Sequence, residues 1–159
     1  MKYDIQPLRE QDVNDIVKWR YEPPYDLYNL SYLDIPFLID PKNRYFAVHG
    51  ESSKLIGYCC FGEEARVPGG DYQQIEPVVL DIGVGLHPGQ VGRGLGISFV
   101  DELLQFGVDE FIPEKLRVTV AAFNRRSLRT FLKHGFKETQ RFKRKRDDMI
   151  FIQLERMVD

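Results

Sequence analysis

The tightest constraint on this chain lies between Leu86 and Val100, which reads LHPGQVGRGLGISFV. A β-run ends there, glycines follow at the alternate positions Gly92, Gly94 and Gly96, and an amphipathic helix begins. Without side chains, such a turn can aim several unpaired main-chain N–H groups at one point. The N-terminus of the following helix adds partial positive charge at the same place. A diphosphate is the natural occupant; a plain strand-to-helix connection is the bland alternative. A Walker loop is excluded, because no Gly-Lys-Ser/Thr follows. The spacing G-x-G-x-G also differs from the dinucleotide G-x-G-x-x-G, and no clear ribose-binding acid closes the next strand.

With 159 residues and neither an internal repeat nor a long linker, the chain reads as one domain spanning 1–159. Tyr3 to Leu8 alternates as a first strand, and Val13, Ile16 and Val17 have helical spacing, with Asp12 as the expected cap. From Trp19 to Phe37, aromatic residues are interleaved with Pro23, Pro24 and Pro36, which predicts loops and short helices. Arg44 to His49 and Leu55 to Phe61 form an expected hairpin, and Pro77 to Leu86 a further strand. The helix after the glycine turn places Ile97, Val100, Leu104 and Val108 on one stripe, with Leu103 beside it. Leu116 to Ala122 reads as a buried strand, Arg125 to His134 as a helix closed by Gly135, and two strands near Phe136–Phe142 and Met149–Met157 end the chain. The order β-α-α-β-β-β-α-β-α-β-β predicts an α/β (α+β) mixed sheet with helices packed on it.

The formal net charge of −2 argues against a nucleic-acid binder held by bulk electrostatics. No apolar run approaches the roughly 20 residues that span a bilayer. The polar start MKYDIQPLRE has no secretory core, so a cytoplasmic location is expected. Cys59 and Cys60 are neighbours in an apolar stretch and would point to opposite faces of a strand, which predicts buried thiols and no disulfide between them.

The glycine turn and a second signature downstream together resemble the GNAT superfamily of acetyl-CoA-dependent N-acetyltransferases. The family turn Q/R-x-x-G-x-G/A aligns with Val91, Gly92, Arg93, Gly94, Leu95 and Gly96. Its N-x-x-A-x-x-x-Y-x-x-x-G-F helix aligns with NRRSLRTFLKHGF, from Asn124 to Phe136. A closing D-x-x-x-x-x-L-E-R pattern matches Asp148 to Arg156. The resemblance implies a mostly antiparallel sheet of about seven strands with about four helices, splayed between the fourth and fifth strands. It also implies acetyl-CoA as co-substrate, no metal, and an amine acceptor, with a homodimer left open. Two departures stand out. Val91 replaces the usual Gln or Arg, and Phe131 replaces the tyrosine that often protonates the departing thiolate. A phenyl ring cannot donate that proton.

Under this resemblance the amides of Gly92 to Gly96 would anchor the diphosphate, with Arg93 adding charge. Val84 and Leu86 would pair their main chain with the pantetheine arm, and Val84 N–H would face the oxyanion. Asn124 would contact the arm or merely cap its helix, and Phe131 would be core or pantetheine wall. Asp81 is the first candidate for a base that deprotonates the amine, and Glu76 the second; each could equally be a plain ion-paired or solvated residue. Glu22, Tyr21, Tyr25 and Tyr28 are the expected acceptor lining, or else a structural cover. His87 and His134 read as surface or helix-end imidazoles, and the basic run Arg141, Lys143, Arg144, Lys145 and Arg146 as a solvated hairpin. The reading is direct acetyl transfer to a primary amine of a small molecule or a protein N-terminus. The alternative is a degenerate module that binds acetyl-CoA as a sensor or docking domain.

Overall fold

The computed structural model describes residues 3–73, 76–91 and 96–159. Its centre is a seven-stranded sheet in the order β1-β2-β3-β4-β5-β7-β6. The strands are β1 (Asp4–Pro7), β2 (Tyr45–His49), β3 (Leu55–Phe61), β4 (Val79–Leu86), β5 (Lys115–Ala121), β6 (Lys137–Lys143) and β7 (Ile150–Met157). Every neighbouring pair is antiparallel except β4 and β5, which run parallel. Parallel neighbours need a crossover, and helix α3 (Gly96–Phe111) supplies it.

Alternation along the strands divides the apolar residues between two cores. Leu80 and Ile82 of β4 with Leu116, Val118 and Val120 of β5 meet α3 and α4 (Arg125–Lys133) on one face. On the other face, Ala47 of β2 packs with Leu8, Val13, Ile16, Trp19 and Leu38 around α1 (Glu10–Ile16) and α2 (Ile35–Ile39). Cys59 and Cys60 are both buried and free, Cys59 within the α3 core.

Two local expectations shift. Asp12 does not cap α1 from outside: Arg9 holds the N-cap, and Asp12 sits three residues in, its carboxylate accepting from the Arg9 N–H at 3.0 Å. An acid at this position can reach back where a residue before the helix would reach forward. The second shift concerns α3, which buries Phe99, Val100, Leu103, Leu104 and Gly107, while Ile97 is 48 % exposed. Phe99 takes the place expected of Ile97 because its ring fits over β3 at Gly57, where an added Cβ would lie 2.7 Å from it.

Gly57 is therefore where β3, β4 and α3 touch. A Cβ there would also come within 2.6 Å of the Gly85 carbonyl. Gly57→Ala is expected to cost about 1–3 kcal/mol by overpacking, read as a lower urea midpoint with an unchanged slope. A midpoint equal to wild type would mean that the helix and sheet can part without loss.

Candidate active site

β4 and β5 pair only from Val79/Lys115 to Ile82/Val118. Beyond that point β4 continues to Leu86 and β5 to Ala121, with no ladder between them. The hydrogen-bond parity decides what faces the gap. Gly62 N–H donates to the Asp81 carbonyl and His87 N–H to the Ile56 carbonyl, so odd-numbered residues of β4 bond to β3. Lys115 N–H donates to the Val78 carbonyl, so even-numbered positions face β5. Val84 and Leu86 continue that even series and turn their N–H and C=O groups into the opening. An extended amide-bearing chain entering there would meet the edge of a strand.

Just before the strands part, a buried clamp holds them. Asp81 faces Arg117 across the parallel pair, and each is 2 % exposed. Arg117 donates from Nε and Nη2 to the two Asp81 oxygens at 2.5 and 2.8 Å, and Arg66 Nε adds a third bond at 2.9 Å. Burial works against the Arg117 charge, but the hydrogen bond and charge of Asp81, with Glu155, outweigh it and raise its pKa. The Arg117 guanidinium also lies 4.8 Å from the centre of the Tyr72 ring, whose hydroxyl meets Thr119 Oγ1 at 2.8 Å. The long β3–β4 loop is thereby pinned across β5.

Across the mouth of the gap lies the segment from Tyr21 to Tyr28. Tyr21 donates its hydroxyl to the Leu86 carbonyl at 2.7 Å, touching the β4 side. Tyr28 accepts from Asn124 Nδ2 at 3.4 Å and stacks on Phe123 at 6.3 Å, touching the β5 side. The two tyrosine rings meet edge to face at 6.4 Å, and Tyr25 packs on Phe123 at 5.6 Å. Arg20 Nη1 holds the segment's own fold, donating to the carbonyls of Val17, Trp19 and Leu30. Burial pushes the Tyr21 hydroxyl up to about 12 and raises that of Tyr28 as well, so both are protonated phenols at neutral pH.

A family profile described as an acetyltransferase (GNAT) domain matches residues 4–137. This chain belongs to the GNAT acetyltransferase family. Among solved structures, a GNAT-family acetyltransferase from Bacillus anthracis superposes with a TM-score of 0.75 at 15 % identity, covering 99 % of this chain and 95 % of that one. An aminoglycoside acetyltransferase, AAC(6')-Ib, in complex with coenzyme A has a TM-score of 0.74 at 16 % identity, covering 98 % and 95 %. The Campylobacter jejuni N-acetyltransferase PseH in complex with acetyl coenzyme A has 0.68 at 18 % identity, covering 99 % and 100 %. A search of curated protein sequences finds no match.

In this GNAT domain the sequence candidates fall into distinct places. Val84, Leu86, Tyr21, Tyr25, Tyr28 and Asn124 gather around the gap. Val91 ends the turn before α3, its N–H bonded to the Pro88 carbonyl at 3.4 Å, and Gly96 opens the helix. Gly92, Arg93, Gly94 and Leu95 lie outside the described residues. Asn124 caps α4, its Oδ1 accepting from the Ser127 N–H at 3.2 Å. Phe131 is 4 % exposed and meets Phe136 edge-on at 5.3 Å, inside the α3 core. Glu22 is exposed beside Tyr21, and Glu76 is exposed ahead of β4, at the end away from the gap.

Asp81 stands on the strand as expected, but both of its oxygens are already engaged by guanidinium groups. To act as a base, the carboxylate would have to give up charge-assisted bonds in a dry site. His87 Nδ1 accepts from the Gly89 N–H at 2.8 Å, so its free lone pair is also occupied. Sequence reasoning passed over Arg66, Arg117, Phe123 and Tyr72. Arg117 did carry a signal: a lone charge within an apolar strand, matching the lone Asp81 in another.

Asp81→Asn would leave the Arg117 charge buried and underpaired. The expected loss is about 3–5 kcal/mol of unfolding free energy, measured by urea titration. Stability within experimental error of wild type would show that the clamp does not hold the strands.

Proposed function

We propose that this GNAT domain moves the acetyl group of acetyl-CoA directly to a primary amine. The observation that carries this reading is the inner edge of β4 beyond Ile82, which has no ladder to β5 and where the main-chain groups of Val84 and Leu86 face the gap, the Leu86 carbonyl taking a bond from the Tyr21 hydroxyl. The pantetheine arm has peptide-like amides and would extend the sheet there, with Val84 N–H directed at the oxyanion of the tetrahedral intermediate. Family membership and the cofactor-bound structures of similar folds support acetyl-CoA as the donor.

Direct attack is favoured over an acetyl-enzyme. Burial pushes the Cys60 thiol up to about 12 and the Cys59 thiol well above its ordinary value, so neither supplies a thiolate. The acceptor enters over Tyr21, Tyr25 and Tyr28, whose rings suit a compact substrate, and Glu22 attracts its cationic form. With Phe131 in the core, the coenzyme A thiolate departs without a tyrosine at that position, which a thiol pKa near 8.5 tolerates.

Deprotonation then becomes the distinguishing step. Among the described residues the buried carboxylates are Asp81, clamped by arginines, and Asp12, bound to Arg9 and His49. The amine therefore reacts as the neutral fraction supplied by solvent. For an acceptor with a pKa of about 10.4, kcat/KM should rise about tenfold per pH unit from about pH 6 to 9. A plateau setting in near pH 7 would reveal a base on the protein. Thiol release from acetyl-CoA across a panel of amines tests the activity itself. The buried phenyl ring at Phe131 also favours a second reading, a domain that binds acetyl-CoA without turnover. Tight coenzyme A binding with no thiol release for any amine would decide for that module.

A further inference from the structure

The net charge of −2 hides a strong segregation. Ten of the 22 lysine and arginine residues fall between Arg125 and Arg146, and Glu138 is the one acid of the 24 within that stretch. Helix α4 and strand β6 bring part of this charge around a groove of about 370 Å³ lined by Ala122, Arg125, Leu128, Arg129, Arg141 and Ile152. Its lining combines three apolar residues with three arginines.

Arg125 and Arg129 are one turn apart and so share a face of α4, an arrangement of like charges that weakens a helix unless something of opposite sign sits beside it. Among the described residues neither guanidinium makes a hydrogen bond or an ion pair. Arg141 is held by the exposed Glu138 at 2.9–3.2 Å, a pair that water screens and a stronger anion can replace.

The groove begins next to the β5 side of the opening, where Ala122 and Arg125 flank Phe123 and Asn124, and extends away from it to Arg141 on β6. In the sheet order, β5 and β7 intervene between that opening and β6. On α4, the opposite flank meets α3: the His134 ring reaches the Ile97 carbonyl at 3.1 Å and Asp101 at 2.9 Å. The helix therefore stands between the groove and α3.

We propose that this groove binds a small oligophosphate, two or more linked phosphates held by Arg125, Arg129 and Arg141. Planar guanidinium forks match phosphate oxygens in pairs, and three of them around one groove suit an extended anion better than a single compact one. The ligand displaces Glu138 from Arg141 as it binds. The site does not depend on acetyl transfer and adds a second ligand to the domain.

Sodium tripolyphosphate titrated calorimetrically into the intact chain at about 0.15 M salt, where surface charge is largely screened, is the probe. Saturable binding is expected, with the same affinity in the presence of saturating coenzyme A. Arg125→Gln with Arg129→Gln should weaken it roughly tenfold or more. Glu138→Gln, which frees Arg141 without touching the core, should tighten it severalfold and keeps the test readable if the double variant folds poorly. The proposal is overturned by absent binding, by unchanged affinity in either variant, or by displacement with coenzyme A, which would assign the anion to the cofactor's own phosphates. If coenzyme A itself fails to bind, the acetyl-transfer reading falls while the tripolyphosphate titration still decides this one.

Discussion

The buried pair of Asp81 and Arg117 fixes where two parallel strands stay together and where they part. A guanidinium doubly bonded to a carboxylate is costly to bury, and its geometry must be good to compensate for desolvation. Here it is matched by Arg66 on one side and Glu155 on the other, so that charge alternates across β4, β5 and β7. One residue further on, the ladder ends. The clamp thus stands directly before a stretch of β4 that has no ladder on its β5 side.

What surrounds that edge follows from the same division of faces. Leu80 and Ile82 of β4 point their side chains into the α3 core with Leu86 packed against it, Val84 is 39 % exposed, and the main-chain groups of Val84 and Leu86 face the gap. Odd positions carry Asp81, Gly83 and Gly85, and the bare glycines admit Cys60 and Tyr58. The aromatic segment bridges both lips through Tyr21 on Leu86 and Tyr28 on Asn124. Its rings and protonated phenols line the mouth of the gap, and Glu22 and Asp26 of the same segment are exposed.

Much of this was legible in the chain. Strand and helix order followed from alternation and 3.6-residue spacing, and the glycine turn marked the crossover between the parallel strands. The stripe on α3 was misphased because Ile97 and Phe99 are both apolar, and only the fit against Gly57 chooses between them. Asp12 looked like an outside cap because acids favour both positions at a helix start. Asp81 drew attention as a base for the reason it matters as an anchor: it is a charge in an apolar strand. Its partner Arg117 is 36 residues away and meets it only through the parallel register. Of the groove's arginines only Arg141 stood out in the sequence, within a basic run read as a solvated hairpin, because Arg125 and Arg129 belong to a helix that sequence does not place beside it.

Amide hydrogen exchange at Val84, followed by NMR with and without saturating coenzyme A, probes the open edge of β4 most directly. Exchange there should slow markedly on binding, while the Gly83 and Gly85 amides, already bonded to β3, keep their rates. A Val84 amide that exchanges at the same rate when the cofactor is bound would contradict the account.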